Sequence, residues 1–165
     1  MDLSTAYTTL GMIKKNILRP IPNMPGIRAQ VDDPSVYKLN SMAEMIKDLN
    51  EKKYGLPIQV SLDEVKSGGM FNSTTEDCIV ITNKNFEKDY YKFVVIMRTT
   101  GKVLIVEPYY FGISSMALKM DMAEQRSHSI KGSLFNAIAG PNQTKWQEET
   151  DYYGLVQTLL QEVFS

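Results

Sequence analysis

The chain has 165 residues, 43% of them hydrophobic, and a formal net charge of -1. That is enough for one domain with a proper core, and so balanced a charge argues against a general nucleic-acid or membrane-surface binder, although local patches stay open. One cysteine excludes an internal disulfide framework and a multi-cysteine zinc site. With no basic leader and no apolar run of about 18 residues, the sequence reads as that of a soluble, cytoplasmic protein.

Residues 3–17 set Leu3, Tyr7, Leu10, Ile13 and Ile17 near helical spacing, which predicts an N-terminal helix. Pro20, Pro22 and Pro25 then stop any helix, so 18–32 reads as an extended connector. Lys14, Lys15, Arg19 and Arg28 give this region a basic character. A second helix follows, capped at Asp33-Pro34 or, alternatively, at the Ser41–Glu44 capping box. Val36, Leu39, Met42, Ala43, Ile46 and Leu49 share its apolar face, and Gly55 ends it. Ile58, Val60 and Leu62 alternate after Pro57, as in a short edge strand. A short helical turn through Val65 and a polar loop over 66–77 are expected next.

The centre of the chain holds three β-branched runs: Cys78–Ile81, Tyr91–Met97 and Val103–Val106. Turn chemistry at Asn83-Lys84-Asn85 and Thr99–Lys102 separates them, so they read as a three-stranded antiparallel meander. Phe93, Val95 and Met97 alternate with Val94 and Ile96, leaving both faces of the middle strand apolar. Such a sheet is covered on both sides or meets a partner on its second face. From Met116 to Ala139 the period is helical again, as one helix or as two broken near Ser127-His128-Ser129 or Gly132. Gly140-Pro141 ends that stretch, and a last helix runs from Asn142 or Thr144 onward. The expected fold is a single α+β domain over 1–165: a three- to four-stranded antiparallel meander packed with amphipathic helices from both ends of the chain.

Little of this carries chemistry. His128 is the only histidine and supports neither a triad nor a histidine metal cluster. Ser67-Gly68-Gly69 lacks the rest of a phosphate loop, and no cofactor motif is present. Cys78 opens an apolar strand and reads as a small buried hydrophobe. Glu76, Asp77, Glu87, Asp89 and Glu107 lie near predicted strand ends, where a pair could do acid–base work, but guarding turns and edges is the commoner role. Lys92, Arg98 and Lys102 lie among Tyr90, Tyr91, Tyr109 and Tyr110, but Val94 and Ile96 between them favour burial over stacking on RNA bases.

The expectation is therefore a non-enzymatic protein–protein interaction or assembly module, binding itself or another protein through the sheet face or the C-terminal helix. Phe93, Val95, Met97, Ile105, Trp146, Tyr153, Val156 and Leu160 are its candidate packing or contact positions. Two alternatives stand beside it. One is a binder of small apolar ligands, with a pocket between the sheet and a Met-rich helix, the helical methionines being Met42, Met45, Met116, Met120 and Met122. The other is an enzyme using the strand-end carboxylates.

Overall fold

Seven strands share one sheet in the computed structural model, which describes residues 13–21, 23–85, 92–112, 123, 125–139 and 142–164, the side chains of 135–139 and 146 excepted. The strands are β1 (Ile13–Lys14), β2 (Arg19–Pro20), β3 (Ile27–Gln30), β4 (Ile58–Gly68), β5 (Ser73–Asn83), β6 (Lys92–Thr100) and β7 (Val103–Phe111). Their order is β1-β4-β5-β6-β7-β2, and β3 also pairs with β7. β1 runs parallel to β4, and every other pairing is antiparallel.

The three predicted apolar runs lie within β5, β6 and β7, Tyr91 excepted, which lies outside the described residues, but the expected three- to four-stranded meander is corrected to a seven-stranded mixed sheet curled into a half-barrel, with helices in the minority. Non-local pairing accounts for the difference. Residues 13–17, assigned to a helix by their spacing, form β1 and a 3-10 turn (Lys15–Ile17); the rest of that predicted helix lies outside the described residues. The segment read as a connector supplies β2 and β3. Pro20 is tolerated there because β2 lies at the margin of the sheet. The expected loop over 66–77 is instead the far half of a long ribbon, with Lys66 opposite Thr75 and Ser67 opposite Thr74. Its residues are polar because both of its faces are wet.

The curl follows from chain length. Five strand spacings would set β1 and β2 about 24 Å apart in a flat sheet. The stretch from Lys14 to Arg19 reaches only about 17 Å when fully extended, and a 3-10 turn shortens it further. The two edges must therefore bend toward each other, with residues 13–20 strapped across the opening.

Each face of the sheet has its own core. On one, Ile79, Ile81, Phe93, Val95, Leu104 and Val106 pack against α1 (Leu39–Leu49) and α3 (Gln143–Val163). On the other, Cys78, Val80, Val94, Ile96 and Phe111 pack against Ile13 and Leu18 of the strap. Both faces are thus covered by the chain itself. α1 presents Met42, Ala43 and Ile46 inward and continues into a π-helical turn, Asn50–Tyr54. Gly55 closes that turn at φ 62°, a left-handed conformation suited to glycine. Lys53 and Tyr54 then donate hydrogen bonds to Glu162, tying the turn to α3. The chain turns at Ser127–His128 before α2 (Ile130–Ala139), which places a break at one of the two sites the sequence offered.

Candidate functional site

Alternation along β5, β6 and β7 places Glu76, Arg98, Glu107 and Tyr109 on the strap side of the sheet. There they form a continuous polar ladder. Lys15 Nζ donates to Glu76 Oε2 at 3.0 Å, and Arg98 Nη1 donates to Glu76 Oε1 at 3.1 Å. Arg98 Nη2 donates to Glu107 Oε1 at 2.7 Å, and the Tyr109 hydroxyl donates to Glu107 Oε2 at 3.0 Å. Burial pushes the Glu76 carboxyl up, but the bonds and charges of Lys15 and Arg98 pull it down further, so it lies below its ordinary value. Tyr109 is raised, first by burial and then by its bond to Glu107.

Two of the strand-end carboxylates therefore do converge, on the guanidinium of Arg98. The shift at Glu76 runs opposite to that of a group poised to exchange protons near neutrality. Asp77 faces away from Glu76 by strand alternation; Glu87 and Asp89 lie outside the described residues. Lys92 is buried, with its ammonium 5.8 Å from the centre of the Phe111 ring. With Arg98 engaged by two carboxylates, the basic stripe of β6 is part of the fold's own packing.

The candidate contact positions divide by face. Phe93, Val95, Val156 and Leu160 are buried in the helix-side core, and Met97 and Tyr153 pack against it. The Tyr153 ring lies 5.2 Å from that of Phe93. Ile105 lies on the opposite face, partly buried beside a hollow of about 540 Å³ that Met24, Arg28 and Tyr109 also line. The side chain of Trp146 is outside the described residues, as are Met116, Met120 and Met122. His128 is exposed in its turn. Cys78 is buried, and desolvation together with Asp63 and Asp77 pushes its thiol up to about 12. It is a protonated, inert thiol at neutral pH.

What the sequence reading missed is the β4–β5 hairpin tip. Eleven residue pairs hold this ribbon in register out to Gly68 and Ser73. Beyond them Met70 and Phe71 are 86% and 97% exposed. Below the tip, between the hairpin and the strap, lies a hollow of about 750 Å³ lined by Lys14, Lys15, Asn16, Lys66, Ser67 and Met70, among others. The available signal was the sequence Gly68-Gly69-Met70-Phe71, two apolar side chains placed just after a glycine pair.

No family model, curated protein or solved structure matches this chain. Its geometry is the sole guide to its role. Among the described residues no group of three His, Cys, Asp or Glu side chains could hold a metal ion, and no helix is long and apolar enough to cross a membrane.

Proposed function

We propose that this protein is a non-enzymatic interaction module that associates with a second copy of itself through the β4–β5 hairpin. The supporting observation is the exposure of Met70 and Phe71 at the tip of an eleven-pair ribbon. Folding gains nothing from leaving these side chains in water, and large apolar anchors on a rigid support are what interfaces use. A net charge of -1 leaves little repulsion between copies. The sequence suggests the sheet face or the C-terminal helix as the contact; α1 and α3 pack on one face of the sheet, and the exposed hairpin tip supports the hairpin as the contact instead.

Light scattering across a dilution series tests this. The wild-type protein is expected to form a dimer or larger species, and Phe71→Ser is expected to shift it to monomer while keeping its far-UV circular dichroism spectrum, with a melting temperature that no longer depends on concentration. A wild-type protein that stays monomeric at every concentration would refute the proposal, as would a Phe71→Ser variant that associates equally well.

A further inference from the structure

The hollow beneath the hairpin has an electrostatic feature that folding does not explain. Lys14 of β1 and Lys66 of β4 are paired in the parallel register. Their neighbours Ile13 and Val65 point into the strap-side core, so the two lysines point the other way, and both line the hollow. Like charges in direct register repel and destabilise a sheet. Among the described residues neither lysine makes an ion pair, whereas Lys15 beside them is bound to Glu76. Glu64 and Asp77 share the face of Lys66, but neither makes an ion pair with it, and from Val65 to Thr75 Lys66 is the hairpin's only charge. The remaining lining combines hydrogen-bonding groups, Asn16 and Ser67, with the apolar side chain of Met70. A volume of about 750 Å³ is that of a site for a small organic molecule.

We infer that this hollow binds an anionic amphiphile, its phosphate or carboxylate head between Lys14 and Lys66 and its apolar body along Met70. The anion relieves the repulsion between the two ammonium groups, and both can donate charge-assisted hydrogen bonds to it. A polar anion alone would leave Met70 unused, and a neutral lipid would leave the lysine pair uncompensated. The hollow shares Met70 with the tip proposed for self-association, whereas Phe71 does not line it.

The test is calorimetric titration with decyl phosphate below its micellar concentration, beside inorganic phosphate and decanol. Saturable binding of decyl phosphate is expected, weakened about tenfold or more in Lys14→Gln/Lys66→Gln and in Met70→Ser, and retained in Phe71→Ser, whose side chain does not line the hollow. Lys14 is exposed and Lys66 half-buried, and neither makes an ion pair among the described residues, so the double variant should fold and melt no lower than wild type. Vesicles of phosphatidylglycerol and of phosphatidylcholine distinguish the source of the head group. Lysine-dependent binding to the anionic vesicles alone assigns it to a bilayer lipid, and binding of monomeric decyl phosphate assigns it to a free amphiphile. The inference is overturned if neither is bound, if the double variant binds equally well, or if inorganic phosphate or decanol binds as tightly as decyl phosphate.

Discussion

Glu76 accepts hydrogen bonds from two cations, one on the strap and one on β6. Its folded-state pKa is depressed, so its stabilising contribution is complete above the unfolded-state value near 4.5 and is lost as pH falls through the lower, folded value. Glu76→Gln is expected to reduce stability at neutral pH by about 1 kcal/mol, a modest figure because the ladder is partly solvated. In urea titrations repeated at decreasing pH, the gap between variant and wild type should close in acid. A gap that persists unchanged at low pH would mean that the carboxylate charge is not its source. The sequence offered Glu76 and Glu107 as members of a group of strand-end acids. It could not show that they meet at Arg98, because that depends on the register of three strands. Likewise Lys14 read as part of a basic N-terminal region, and only the sheet register reveals its pairing with Lys66.

At the scale of elements, the tip of the β4–β5 hairpin stands in solvent, with Met70 and Phe71 almost fully exposed. Gly68 has φ 87°, and a Cβ there would strike the Asn72 carbonyl oxygen. Gly68→Ala should therefore cost about 1–2 kcal/mol locally. Amide hydrogen exchange should accelerate across 66–75 and stay unchanged in β6, and slow exchange throughout the variant hairpin would contradict this. Element type was legible where one face had a clear period, as in α1 and α3, or where β-branched residues clustered, as in β5, β6 and β7. It failed for the distal ribbon because Ser67, Ser73, Thr74 and Thr75 carry no apolar alternation, although threonine suits a strand. It failed for β1 and β2 because two-residue strands have no period to detect.

The whole molecule is a sheet with a core on each side, and Phe93 lies at the centre of the larger one. It is fully buried, paired with Ile81 across the sheet and in contact with Tyr153 of α3. Phe93→Ala is expected to destabilise the fold by about 3–5 kcal/mol, the usual cost of losing a buried aromatic side chain and leaving a cavity. Urea unfolding would measure it, and a loss under about 1 kcal/mol would show that helix and sheet are not coupled through this ring. Sequence reading anticipated a sheet apolar on both faces, yet assigned the covering to helices. A strap of barely one turn covering the second face is a consequence of closure, which no local pattern records.

The strap also sets an order of events during synthesis. β2 and β3 leave the ribosome early, but their partner is β7, with Ile27 opposite Val106 and Arg19 opposite Tyr110. β1 likewise has no partner until β4 appears. The first part of the described chain to be made thus waits for strands made much later. Contacts so distant in sequence slow folding, because a long loop must close before any of them forms. Until β7 arrives, the apolar side chains of the strap and the face they will cover both remain open to water, and this interval is when the nascent chain is most vulnerable to misassembly.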